Sequence, residues 1–219
     1  MRKIPVLVMT VALAIGAFAC AQSPSDPSGP GGSSGTLATV VDVPISVDVT
    51  DGLTGTWNWA GQSVTIPSGA NVGNVRFAWY HYNPRGETTA FGRIYVLDRE
   101  FLGVPGDLGP SMPGFLARSE PEASGTSGGL STQGSEYTLP DSLVLAGNTR
   151  YWFYTDKQGA YAYSFDKDLY ADGNLYVTGY FANPFRRSVA SGRMVNGVFV
   201  PAPPGVTTDA NFRLRGVAK

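Results

Sequence analysis

Apolar and polar residues alternate along much of this chain with a period of two. Ile45, Val47 and Val49 alternate with Ser46, Asp48 and Thr50, inside a β-rich stretch that begins at Val40. Val75, Phe77 and Trp79 alternate with Arg76, Ala78 and Tyr80. This pattern puts one set of side chains on a core and the other on solvent, as in a half-buried strand. It predicts further strands at 62–66, 91–97, 136–139, 143–145, 148–155, 161–165, 175–181, 198–200 and 210–214. In the 148–155 segment Tyr151 and Phe153 share one face, and Trp152 and Tyr154 share the other. No segment sustains a helical period. About ten strands without a helix predict an all-β fold, an antiparallel β-sandwich of jelly-roll-like form.

Breaker residues punctuate the pattern. The stretch from Gly103 to Gly134 is rich in Gly, Pro and Ser, with a short apolar piece at Phe115-Leu116-Ala117. It is expected to hold one short strand and two long loops. Ala146-Gly147-Asn148 reads as a tight turn that needs a residue tolerating positive φ. The 28 glycines, 16 prolines and 15% charged residues suit many short strands joined by turns.

One apolar run breaks the alternation. After Arg2 and Lys3, residues 4–19 are nearly all apolar, and small residues lead into Cys20, the only cysteine. A positive start, a short apolar core and a small-residue cleavage site define an export signal. The run is shorter than the ~20 residues of a membrane span. Ala17-Phe18-Ala19-Cys20 resembles a bacterial lipobox. The resemblance implies removal of residues 1–19, a diacylglycerol thioether on Cys20 and attachment to the membrane through that lipid. With Ala21 and not Asp next, it implies the outer membrane where the envelope has two.

Residues 21–36 have almost nothing to bury, so residues 20–36 are expected to be a lipidated flexible tether and 37–219 the folded domain. Cleavage takes Arg2 and Lys3 from 16 basic groups and leaves 17 acidic ones, a formal net charge of −3. That balance gives no reason to expect a nucleic-acid partner. One thiol allows no disulfide within the chain, so stability must come from a packed core.

Several segments, in order, resemble a jelly-roll domain of bacterial secreted and surface proteins that looks like a carbohydrate-binding module. They are residues 60–67 (AGQSVTIP), 75–80 (VRFAWY), 92–96 (GRIYV), 115–119 (FLARS), 145–152 (LAGNTRYW) and 211–216 (NFRLRG). The resemblance implies a sandwich without catalytic machinery. The stretch from Asn183 to Gly205 has no counterpart in it.

The candidate chemistry is sparse. His81 is the only histidine, and no Gly-x-Ser-x-Gly elbow accompanies it, so a hydrolase triad is not expected. Asp98 with Glu100, Glu120 with Glu122, and Asp166 with Asp168 are the carboxylate pairs that glycoside hydrolysis would need. Asp166, Asp168, Asp172 and Asn174 form the densest oxygen cluster, the one place where calcium could be held. Trp57 and Trp59, and Tyr80 and Tyr82, are spaced to share a strand face, and flat aromatic rings suit stacking on sugars. Two functions are therefore expected to compete. One is a noncatalytic, lipid-anchored binding module, for polysaccharide. The other is a structural or assembly subunit of the envelope with a protein partner.

Overall fold

The computed structural model describes residues 35–44, 53–69, 71–83, 88–89, 92–121, 125–126, 129–131, 136–164 and 167–219. Residues 20–34 of the expected tether, Cys20 included, and the alternation at 45–50 lie outside them. The strands in chain order are β1 (Ala38–Val43), β2 (Leu53–Thr65), β3 (Val72–Trp79), β4 (His81–Asn83), β5 (Thr88–Thr89), β6 (Ile94–Leu97), β7 (Phe115–Arg118), β8 (Gly125–Thr126) and β9 (Gly129–Ser131). They continue with β10 (Glu136–Thr138), β11 (Arg150–Thr155), β12 (Gly159–Ser164), β13 (Asn174–Thr178), β14 (Arg186–Arg187), β15 (Gly192–Val195), β16 (Val198–Pro201) and β17 (Phe212–Ala218). Among the described residues the only helical piece is a 3₁₀ turn, Pro105–Asp107.

The expected all-β antiparallel sandwich is what forms. A smaller sheet has the order β1-β17-β3-β10. A larger one runs β7-β6-β11-β2-β12-β4-β9, with β13 also on β2 and β14 on β13. Successive strands cross between the sheets: β1, β3, β10 and β17 go to one, and β2, β4, β6, β7 and β11 to β13 go to the other. Between them the alternating apolar residues meet. Val75, Phe77 and Trp79 from β3 and Phe212 and Leu214 from β17 face Val64, Ile94, Val96, Phe153 and Leu175. Phe77 is the centre of this core. It stacks on Phe153 at 4.6 Å and on Phe212 at 5.8 Å, and it meets Trp79 edge-on at 4.8 Å.

Four details differ from the expectation. Among the described residues the stretch from Gly103 to Gly134 holds three short strands, β7, β8 and β9, and not one. The strand expected at 143–145 is reduced to a single bridge, Leu145 with Val72. The strand expected over 175–181 ends at Thr178, where Gly179 begins a turn. The strand expected at 62–66 is the end of β2, which starts nine residues earlier at Leu53. The turn at 146–148 forms as expected, with Asn148 at φ 56°.

β2 organises the larger sheet. On one edge β11 and β12 run along it almost as one strand, and β13 lies on the other. Tyr154 stands opposite Gly61 and Gly159 opposite Asn58, so residues 155–158 face only Trp59 and Ala60. The extra residues make a bulge, which bends a strand and sharpens its twist. Side chains hold it. The Tyr161 hydroxyl donates to Thr155 Oγ1 and the Lys157 carbonyl, both at 3.1 Å. The Trp59 indole N–H donates to the Asp156 carbonyl at 3.2 Å.

The far side of the larger sheet is not bare. Tyr95, Leu97, Leu108, Tyr154, Tyr176 and Phe185 form a second buried cluster, with Trp59, Phe101, Phe115 and Trp152 at its margin. The loop from Asp98 to Gly114 covers it. Tyr154 makes the link: a Cβ at Gly61 would lie 2.2 Å from its ring, so only glycine lets the ring lie across β2. The Tyr154 hydroxyl then accepts the Phe101 backbone N–H at 3.1 Å and pins the loop.

Candidate functional site

The side chains of β2, β12 and β13 alternate between these two clusters. Val177 and Tyr163 are half-buried at the edge of the inter-sheet core. There the core-facing side of the larger sheet continues into a solvent-open groove of about 520 Å³. Its walls include Asn58 from β2, Tyr163 from β12, Val177 from β13, and Tyr180, Asn183, Arg186 and Ser188 from the segment after β13. The volume lies in the range of small-ligand sites.

The segment that closes this groove is held at both ends. Thr178 Oγ1 donates to the Tyr180 carbonyl at 3.1 Å, and the Asn183 N–H donates to the same carbonyl at 3.0 Å. This tight turn leaves Tyr180 73% exposed and Phe181 55% exposed. At the other end Phe185 is buried in the far-side cluster, 4.9 Å from Tyr154, and its N–H donates to the Gly103 carbonyl. β14 follows at once. Arg186 stands opposite Val177 and Arg187 opposite Tyr176, so the two arginines go to opposite faces. Arg187 reaches Glu100 with Nε at 2.6 Å and Nη2 at 3.0 Å. That contact holds the Glu100 carboxyl below its usual range, chiefly through the hydrogen bond.

The residues expected to bind a ligand are distributed differently. Trp59 is half-buried, its ring tilted against Phe181 at 5.7 Å. Tyr80 is buried, and its hydroxyl donates to Asp42 at 2.8 Å. Burial and that carboxylate push the Tyr80 phenol up to about 12. The backbones of Trp57 and Tyr82 lie in β2 and β4, and their side chains are outside the described residues. His81 is buried beside Tyr161, at 5.8 Å between ring centroids.

The oxygen cluster is also rearranged. Asp166 lies outside the described residues. Asp168 and Asp172 are exposed and Asn174 is half-buried. Asp168 accepts the Tyr170 N–H and bonds to Asp209, the Asp172 carbonyl accepts Thr65 Oγ1, and the Asn174 N–H donates to Ser63 Oγ. Among the described residues no three His, Cys, Asp or Glu converge as a metal site. The informative acid is instead Asp209, fully buried just before β17. Its Oδ1 accepts Gln62 Nε2 at 2.9 Å, and its Oδ2 accepts the N–H groups of Leu169 and Tyr170 at 3.1 and 3.0 Å. Burial raises its pKa to about 7, helped by a hydrogen bond with Asp168 and opposed by the Gln62 bond.

Of the remaining carboxylate candidates, Asp98 is held below its usual range by its hydrogen bond from Arg99, and Glu120 lies 3.4 Å from Arg93. Glu122 is outside the described residues. The groove residues Tyr180, Asn183 and Arg186 were not singled out by the sequence. Tyr180 falls in a segment that reads as strand, and Arg186 follows Asn183-Pro184 in a stretch without a recognisable pattern.

Fold and groove together define an antiparallel β-sandwich with a lateral site made of tyrosine, asparagine, serine and arginine. No known protein family, curated protein or solved structure matches the chain.

Proposed function

We propose that this protein is a lipid-anchored cell-envelope protein whose sandwich is a noncatalytic binding module for polysaccharide. The groove carries the reading. Tyr163 and the exposed Tyr180 offer ring faces, and Asn58, Asn183 and Ser188 offer groups able to donate and accept hydrogen bonds. Sugars present that combination in complement: an apolar C–H face and a rim of hydroxyls. The groove's closing segment is fixed by Thr178 and Phe185, so little ordering cost falls on binding. A glycan array probed with the exported protein carrying Cys20→Ala tests the reading. Tyr180→Ala is expected to leave the melting temperature unchanged, because the ring is exposed, and to weaken glycan binding about tenfold, the loss of roughly 1.4 kcal/mol of stacking. Binding unaffected by Tyr180→Ala would place the ligand elsewhere.

The anchor has its own test. Cys20→Ala is expected to move the protein from the membrane fraction to the soluble exported fraction, because lipid on Cys20 is the proposed attachment. A variant that stays with the membrane would refute the anchor.

An envelope protein as partner is the second reading, favoured by one observation. Among the described residues the hairpin β15–β16 pairs only with itself, and it turns at Asn196-Gly197, both at positive φ. Val195, Val198, Phe199 and Val200 on it are all exposed, an apolar surface of the kind that marks protein contacts. Val198→Ser with Phe199→Ser would abolish such a complex and spare glycan binding.

A further inference from the structure

We infer that the glycan taken by this groove is acidic, with a sugar carboxylate seated on Arg186; this rests on the glycan-binding reading above. β14 carries two adjacent arginines with different surroundings. Arg187 is neutralised on the far face by both oxygens of Glu100. Arg186 lines the groove, and among the described residues no carboxylate pairs with it. Its place is fixed by the β13–β14 ladder, which sets it opposite Val177 on the groove floor.

An exposed guanidinium at a groove wall, without a carboxylate partner among the described residues, is one half of a bidentate pair, and the planar fork matches a carboxylate. The rest of the groove narrows the anion to a sugar acid. In a hexuronic acid the carboxylate lies at the edge of the ring, while the C–H face remains free. Tyr180 can cover that face while Arg186 reaches the edge, and Asn183 and Ser188 meet the neighbouring hydroxyls. A free inorganic anion would use Arg186 and leave the tyrosines without a role. A neutral glycan would use the tyrosines and leave the charge without one.

Titration calorimetry with the exported protein carrying Cys20→Ala tests this. The probes are trigalacturonate, a glucuronate–N-acetylglucosamine tetrasaccharide and the methyl esters of both, which keep rings and hydroxyls and lose the charge. One of the acids is expected to bind at least tenfold more tightly than its ester, with an affinity that falls as salt is raised. Arg186→Gln is expected to remove that difference and leave the melting temperature unchanged, because Arg186 is exposed. Esters or neutral oligosaccharides binding as well as the acids would overturn the acidic ligand and leave the glycan reading standing. No binding by any acid or neutral glycan would overturn both. Acid binding that survives Arg186→Gln would overturn the assignment of the carboxylate to this residue.

Discussion

Phe77→Ala is expected to cost about 3–5 kcal/mol of folding stability, enough to lower the melting temperature by about 10 °C or more. The ring is fully buried and touches aromatics of both sheets: Phe153 on the larger, Phe212 and Trp79 on the smaller. Its removal deletes transfer energy and leaves a cavity whose walls come from strands that are themselves hydrogen-bonded on either side, so they cannot collapse into it. Phe77→Leu, which keeps most of the volume, is expected to cost less than half as much. Urea unfolding followed by tryptophan fluorescence measures both. A loss below about 1 kcal/mol for Phe77→Ala would mean that the two sheets do not meet through this ring.

The second large effect is electrostatic. Asp209→Ala removes an acceptor from Gln62 Nε2 and from the N–H groups of Leu169 and Tyr170; Gln62 keeps the Ser63 carbonyl and Tyr170 keeps Asp168, while the Leu169 N–H keeps no other acceptor among the described residues. An unsatisfied buried group costs about 1–3 kcal/mol, so a loss of about 1–3 kcal/mol is expected. The same carboxyl makes stability depend on pH. Unfolded it titrates near its usual 3.8, and folded near 7, so folding takes up a proton between those values. Its favourable share is therefore complete below about pH 4 and lost as pH rises through about 7, a change on the order of 4 kcal/mol. Glu100, whose pKa folding lowers, works in the opposite sense and loses its share as pH falls. Comparing the protein with Asp209→Asn at each pH cancels that contribution. Asp168→Asn removes the neighbouring carboxylate and is expected to move the window downward. A stability difference between Asp209→Asn and the parent that is flat from pH 4 to pH 8 would rule out the raised pKa.

The strands were legible where the alternation was clean. Val75, Phe77 and Trp79 announced β3, and Tyr151 and Phe153 announced the core face of β11 with Trp152 and Tyr154 on the other. What the sequence hid has physical causes. The part of β2 that the alternation missed, Leu53 to Gly61, contains Gly55, Asn58 and Gly61, residues that ordinarily break strands, yet Gly61 is there because Tyr154 occupies the space of its side chain. Leu143 and Leu145 look like strand, but they enter the core from a loop whose one bridge to β3 among the described residues is Leu145 with Val72. The far-side aromatic cluster was invisible because its halves, Phe101 and Phe185, are far apart in sequence and meet only over β11 and β13. The groove was hidden for the same reason. Asn58, Tyr163 and Arg186 come from three separated segments, and no local spacing marks them.

The pairing of β1 with β17 sets Ala38 directly opposite Gly216, so the chain enters and leaves the sandwich at neighbouring points of one sheet edge. A protein built this way is portable. It can be spliced into a surface loop of an unrelated scaffold without forcing that loop's ends apart. The strand ends at Ala38 and Gly216 could also be joined by a short linker and new ends opened at Asn196-Gly197, in a hairpin that neither sheet needs for closure. The order in which the strands are strung together is thus separable from the surface they present, and the groove could be carried by a chain that begins in its middle.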